Sequence, residues 1–230
     1  MLIADVYVRA AHRQMEEAEF DLVSQSLGQQ LAALGRDHLP HGLSLRYQFE
    51  EGSVVGRLKV IGALLGTLYV GIANYPDFRN GIIQLYDDAS AFGSAALELF
   101  KKETGVTAKD IQYKRISSGD VGKLYNVVRN IDLIRSDRTS PSHRTEAKDE
   151  ISSNLRSLAS SMPREEFSAI LHAIPRHDVP ELPGTAEEAI TLFDDRKRIG
   201  TVRDGSSNLT QRSKRPAPKI RRKFRRTFSL

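Results

Sequence analysis

The sequence predicts an α+β fold. We expect an N-terminal strand-helix-β-hairpin unit covered by a long amphipathic helix, a mainly helical second half and a disordered basic C-terminal tail. Three observations predict this fold. Apolar and polar residues alternate in short segments near the N-terminus, apolar residues recur every three or four positions later, and the end of the chain is polar and basic. We divide the chain into residues 1–135, 144–193 and 194–230.

The N-terminal unit begins with a strand, because residues 4–9 alternate between apolar and mostly polar side chains. No charged-then-apolar leader precedes this strand, so we expect no cleaved signal peptide. A helix over about 13–35 follows, and Gly35 is well placed to end it. Residues 43–50 alternate again and predict a second strand.

The next segment has two interpretations. In the first, residues 54–61 form the return strand of a hairpin and a short apolar helix covers 62–74. In the second, one helix covers 54–75. In both, residues 60–73 carry no charge. We therefore expect an apolar helix over about 58–75.

The later elements follow the helical period more clearly. A long amphipathic helix over about 77–103 is predicted, and we expect it to cover the hairpin, since an isolated hairpin is marginally stable. A weak strand follows near 111–116, and then a helix over 120–135. After a linker at 136–143, the predicted helices lie at about 147–162, 163–174 and 185–193.

Charge is distributed unevenly along the chain. From Arg196 onward there are 13 of the 34 Lys and Arg residues and one of the 29 acidic residues, Asp204, so this segment carries a net charge of +12. The preceding 195 residues then carry −7. The excess of positive charge belongs to the tail, and an acidic body does not predict a basic binding face of its own.

The apolar segment is a candidate for membrane insertion or self-assembly. Fourteen uncharged residues are near the border between a buried helix and a membrane helix. Gly62 and Gly66 form a GxxxG pattern, which lets two helices approach closely in a bilayer. The candidate residues are Val60, Gly62, Leu65, Gly66, Leu68, Tyr69 and Ile72. A buried core helix is the alternative for this segment.

The C-terminal residues are a candidate anion-binding element. Ile220, Phe224 and Phe228 are spaced by four, so a helix would place them on one face among basic residues. Such a segment suits an anionic lipid surface, the phosphates of a nucleic acid, or an acidic protein surface. The candidate residues are Lys219, Arg221, Arg222, Lys223, Phe224, Arg225, Arg226 and Phe228.

Motifs for catalysis and cofactor binding are absent from the sequence. The chain contains no cysteine, which excludes thiol nucleophiles and cysteine-based metal sites. Residues 117–124 contain a Gly-Lys pair before a helix but lack the first glycine and the final hydroxyl of a phosphate-binding loop. His12 and Glu16 are four apart without a third metal ligand. We expect no catalytic residues, cofactor or metal, and no enzymatic activity.

Two function hypotheses follow. The first is a non-enzymatic, membrane-associated effector or scaffold that assembles with itself at the cytoplasmic face of a membrane. It would use the apolar helix and the basic C-terminus. The alternative is a soluble cytoplasmic adaptor whose basic tail binds RNA or DNA without sequence preference.

Overall fold

The computed structural model describes residues 1–11, 15–50, 55–63, 74–136, 139–175, 191 and 223–230. The strands are β1 (Leu2–Ala10), β2 (Ser44–Glu50), β3 (Val55–Ile61), β4 (Ile111–Ser117) and β5 (Lys223–Ser229). The helices are α1 (Glu17–His38), α2 (Tyr75–Thr104), α3 (Gly119–Arg135), α4 (Pro141–Ser161) and α5 (Arg164–Ala173).

The strands form one antiparallel sheet in the order β4-β1-β3-β2-β5. The first six elements run β-α-β-β-α-β, which is the element order of the split βαβ motif. The two strands at the centre of the β4-β1-β3-β2 part, β1 and β3, are neighbours although a helix and β2 separate them in sequence. The α+β prediction is confirmed.

One face of the sheet is covered by helices. Phe49 of β2 is fully buried there, stacks on Phe20 of α1 at 5.2 Å and meets Phe100 of α2 edge-to-face at 6.2 Å between ring centroids. Phe100 comes close to the sheet because β3 has glycine at position 56, where a Cβ atom would lie 2.4 Å from its ring. The long amphipathic helix therefore covers the hairpin as the sequence predicts.

The apolar helix predicted over about 58–75 is wrong in its first six residues, because 58–61 belong to β3 and 62–63 are not helical. Val60 is fully buried in β3 and pairs with Ala4 of β1 and Leu45 of β2. The hairpin interpretation holds here, because strand alternation in residues 55–61 matches the exposed and buried faces of a sheet. Residues 64–73 lie outside the described residues.

The C-terminal residues end in a strand rather than in a helix or a disordered segment. β5 pairs antiparallel with β2 at the edge of the sheet, and Phe228 lies opposite Leu45. α1 makes room for β5, since a Cβ atom at Gly35 would lie 2.8 Å from Leu230. For the same reason Gly35 is buried inside α1, which continues to His38 instead of ending at the glycine. The rest of the predicted tail, residues 194–222, lies outside the described residues.

The second half is helical as expected as far as residue 173, and the helix predicted over 185–193 lies outside the described residues apart from position 191. α4 begins within the predicted linker, at Pro141, where the Ser140 hydroxyl accepts a hydrogen bond from the His143 amide at 3.4 Å. α4 and α5 extend the apolar core through Ile151, Leu155 and Phe167. Among the described helices, none combines the length and apolar character needed to cross a membrane.

Candidate functional site

The face of the sheet opposite the buried aromatic residues is strongly basic. It carries every second residue of the strands, and we call it the open face because most of its side chains are exposed or half-buried. Among the described strand residues it holds seven Lys or Arg side chains and two carboxylates. Its charged members are Asp5, Arg9, Arg46, Glu50, Arg57, Lys59, Arg115, Lys223 and Arg225.

Both carboxylates of the open face are engaged near the sheet edges. At the β4 edge, Arg115 donates a hydrogen bond to Asp5 Oδ2, and this carboxylate is only 5% exposed. At the β5 edge, Lys223 Nζ lies 2.5 Å from Glu50 Oε1. The two acidic groups therefore neutralise edge cations, and the central cations have no acidic partner among the described residues.

The uncompensated cations line a groove across β3, β2 and β5. Its volume is about 440 Å³. Four cations of the open face line it, Arg46, Arg57, Lys59 and Arg225, together with Gln48, Thr227, Tyr47 and Arg226. Within the described part of the chain, no acidic side chain pairs with any of these four cations.

The register of the strands brings like charges together in this groove. Arg46 lies directly opposite Lys59 on β3, and Gln48 lies between Arg57 on one side and Arg225 on the other. Like charges directly opposite each other destabilise a sheet. The arrangement therefore carries a free-energy cost that an anionic ligand would remove.

An aromatic cluster lies beside the groove, on β1 and β4. The rings of Tyr7 and Tyr113 meet edge-to-face with centroids 5.7 Å apart. The Arg57 guanidinium lies 5.4 Å from the centroid of the Tyr7 ring, so this arginine belongs to both the groove and the aromatic cluster. Tyr113 is 52% exposed.

Tyr47, a buried residue that also lines the groove, adds no negative charge to it. Tyr47 lies on β2 between Arg46 and Gln48, and it packs at 6.4 Å from Phe49 on the helical side. Burial raises the pKa of the Tyr47 phenol far above its ordinary value, so the group stays neutral at physiological pH. Among the described residues, the field in the groove is therefore set by its basic side chains, Arg226 included.

The structure separates the residues that the sequence marks as sites. Lys223 and Arg225 lie on the open face, whereas Phe224 and Phe228 pack against the apolar core. Arg226 lies over the Phe224 ring at 5.4 Å from its centroid. Lys219, Arg221 and Arg222 lie outside the described residues.

The structure describes only two of the predicted membrane or self-assembly residues. Val60 is a core residue of β3, and a Cβ atom at Gly62 would lie 2.1 Å from the Leu43 side chain. The structure therefore places Val60 in a strand and Gly62 directly after it rather than in a helix, because both are enclosed by the sheet and its neighbours. The membrane or self-assembly role of the segment stays a prediction. Leu65, Gly66, Leu68, Tyr69 and Ile72 lie outside the described residues.

The remaining candidates yield no catalytic arrangement. Lys123 of the Gly-Lys pair forms an ion pair with Asp120 at 2.9 Å, and Asp120 also accepts a hydrogen bond from the Leu2 amide. His12 lies outside the described residues. Across the ranges that the structure describes, no three His, Asp or Glu side chains are grouped closely enough to hold a metal ion.

Sequence reasoning missed the open face as a site. The signal was present as Arg, Lys and Tyr at the polar positions of four alternating segments, including Tyr7, Arg46, Arg57 and Tyr113. The net charge of −7 over residues 1–195 argued against a basic face, but that sum hides how charges segregate in space. The pairing of β4, β1, β3 and β2 brings these positions together.

The fold and the open face are the available guides to function. Comparisons of the chain with known protein families, with curated proteins and with solved structures find no match.

Proposed function

We propose that this protein is a nucleic-acid-binding protein that holds the phosphate backbone on the open face of its sheet, without sequence preference and without a chemical step. The observation that carries the proposal is the groove in which Arg46, Arg57, Lys59 and Arg225 lie together with no acidic partner among the described residues. A protein that neutralises phosphates with Lys and Arg gains affinity by releasing condensed counterions.

A polymeric anion fits the shape of this face. Four strand spacings of about 4.8 Å separate β4 from β5, so the open face is about 19 Å wide. The cations without an acidic partner among the described residues lie along part of this width, on β3, β2 and β5. Repeated phosphates along one backbone can contact such a row in succession.

Nucleic acid explains this face better than a lipid surface does. A basic amphipathic segment that inserts into an anionic membrane carries apolar side chains that reach the acyl boundary beside the basic ones. Among the described residues of the basic C-terminal segment, Phe224 and Phe228 pack toward the helices instead. The groove offers Gln48 and Thr227 as further hydrogen-bonding groups for phosphate or sugar oxygens.

The architecture adds an analogy. An antiparallel sheet with helices on one face, and with basic and aromatic residues on the other, is the arrangement by which RNA-recognition modules bind bases and backbone. The analogy concerns architecture alone, and the charge of the groove carries the argument.

The proposal is tested by fluorescence anisotropy with a labelled mixed-sequence oligonucleotide of about 16 nucleotides, the upper site size of single-strand-binding folds. At about 0.7 per neutralised phosphate, four cations predict a slope of about −3 in a plot of log affinity against log salt. The double variant Arg57→Gln/Arg225→Gln should halve this slope and weaken binding at least about tenfold at low salt.

The matched control is Lys214→Gln/Arg215→Gln. It removes the same two charges from the basic segment that lies outside the described residues. We expect this variant to bind like the unaltered protein. A loss in the control without a loss in the groove variant would assign binding to the tail and overturn the proposal. Pelleting with anionic vesicles, without oligonucleotide binding, would overturn it in favour of a lipid surface.

A further inference from the structure

The geometry points to a single-stranded nucleic acid, with a base stacked on Tyr113 at the β1–β4 side of the open face and phosphates in the groove at the β3–β2–β5 side. This inference rests on the proposed function and deepens it, since the groove cations alone would accept single and double strands alike.

The Tyr113 ring of the aromatic cluster is exposed and can contact a ligand. The Arg57 guanidinium occupies a face of the Tyr7 ring, and Tyr7 meets Tyr113 at an interplanar angle of 61° rather than by face-to-face stacking. Tyr113 is 52% exposed, so much of its side chain is not covered by the rest of the protein. The exposed ring is therefore a surface on which a flat ligand group can stack.

The neighbours of Tyr113 suit a nucleotide rather than another flat apolar group. Arg9 lies directly opposite Tyr113 on β1, and Arg115 lies two residues along β4 on the same face. Asp5 holds Arg115 by an ion pair on the β1 side. Arg115 is therefore engaged, and a base on the Tyr113 ring would lie beside the Arg9 guanidinium, which can contact a flanking phosphate.

Stacking of this kind requires a single strand. In a duplex the faces of the bases are covered by neighbouring base pairs, and only groove edges and phosphates are accessible to a sheet. In a single strand every base has a free face, and aromatic side chains bind it with little sequence preference. Tyr113 thus adds affinity for one strand and nothing for a duplex.

The arrangement also explains why the aromatic and basic parts are adjacent. Arg57 contacts Tyr7 on one side and lies opposite Gln48 of the groove on the other. A single strand that crosses β4, β1, β3 and β2 meets the aromatic cluster first and the groove cations next. Phosphate and base contacts are then made by one continuous ligand.

The test replaces Tyr113 and compares two ligands. Tyr113→Leu keeps an apolar side chain but removes the ring, so affinity for the single-stranded oligonucleotide should fall about 5- to 150-fold, the range for one stacked base. Tyr113→Phe keeps the ring and should restore affinity. Binding of the matched duplex, and the salt slope for both ligands, should be unchanged in Tyr113→Leu.

The outcomes separate the two proposals. Equal affinity for single strand and duplex, with no effect of Tyr113→Leu, would overturn this inference and leave the proposed function in place. Absence of binding to both ligands would overturn the proposed function itself. A parallel loss for duplex and single strand in Tyr113→Leu, with a lowered melting temperature, would assign Tyr113 to stability and also overturn the inference.

Discussion

The two faces of the sheet share one backbone but differ in the burial and the charge of their side chains. On β2, Leu45, Tyr47 and Phe49 are buried under the helices, whereas Arg46 and Gln48 between them belong to the open face. The period of a strand separates the two sets completely, since successive side chains point to opposite sides. One face is therefore optimised for packing, and the other brings like charges into proximity.

This difference shows that net charge is a poor guide to local charge. Residues 1–195 are acidic as a whole, yet the open face is basic. Part of the compensating negative charge lies on the helical layer, for example on Glu17 and Glu19 at the start of α1 and on Asp87 and Asp88 of α2. Segregation of this kind produces a local field that a sum over the sequence cannot reveal.

The largest expected effect comes from a substitution on the helix-covered face of the sheet, which we call the packed face. Phe49→Ala should lower the free energy of unfolding by about 3–5 kcal/mol, because Phe49 is fully buried between Phe20 and Phe100 and its removal leaves a cavity. Urea denaturation measures this change. The matched control on the open face, Gln48→Ala, should stay within about 0.5 kcal/mol of the unaltered protein. Similar losses in both variants would contradict the division between the faces.

A smaller effect on the free energy of unfolding is expected at Tyr47, a second residue of the packed face. The Tyr47 hydroxyl is buried and has no hydrogen-bond partner among the described residues. Tyr47→Phe removes this unsatisfied group and should raise the free energy of unfolding by about 1 kcal/mol.

The natural contrast to Tyr47 is Tyr75, whose hydroxyl lies 3.3 Å from the Val128 carbonyl oxygen and 3.3 Å from Asp132 Oδ1. Tyr75→Phe should therefore lower the free energy of unfolding by about 1 kcal/mol. Thermal denaturation of the two variants side by side gives the comparison. A loss of stability in Tyr47→Phe equal to that in Tyr75→Phe would show that the Tyr47 hydroxyl is satisfied in solution.

The smallest effect concerns the acidic helical layer. Burial, and then the neighbouring Asp87 carboxylate, raise the pKa of Asp88 above its ordinary value of 3.8, while His38 opposes the shift. The folded state therefore holds the proton more tightly than the unfolded state, and ionisation of Asp88 costs stability as pH rises through the folded pKa.

Asp88→Asn removes that cost. The variant should be slightly more stable than the unaltered protein at pH 7, and the difference should vanish below about pH 3.8, where Asp88 is protonated in both states. Urea denaturation at pH 7 and at about pH 3 measures it. A difference that persists unchanged at the lower pH would mean that ionisation of Asp88 does not cause it.

Most elements were predictable because their signal is local. Alternation in residues 4–9 and 43–50 corresponds to β1 and β2, and the three-or-four spacing in 77–103 corresponds to α2, which ends at Gly105 with φ of 64°. The prediction near Gly35 failed because that glycine makes room for Leu230, a residue far away in sequence.

The conformation of β5 could not be predicted from the local sequence pattern. Phe224 and Phe228 are four residues apart, a spacing that puts them on one face of a helix and equally on one face of a strand. The free edge of β2 decides between the two, because it supplies the backbone hydrogen-bond partners for a strand. Gly28 contributes as well, since a Cβ atom there would lie 3.1 Å from the Phe228 ring.

The sequence alone therefore determined the α+β class, most of the helices and the strands that alternate, since hydrophobic periods of 2 and 3.6 residues act within one segment. Only the tertiary structure decided the candidate site. Arg57 and Lys59 on β3, Arg46 on β2 and Arg225 on β5 come from segments up to about 180 residues apart. Hydrogen bonding between these strands places the four cations side by side, and no local pattern in the sequence records that pairing.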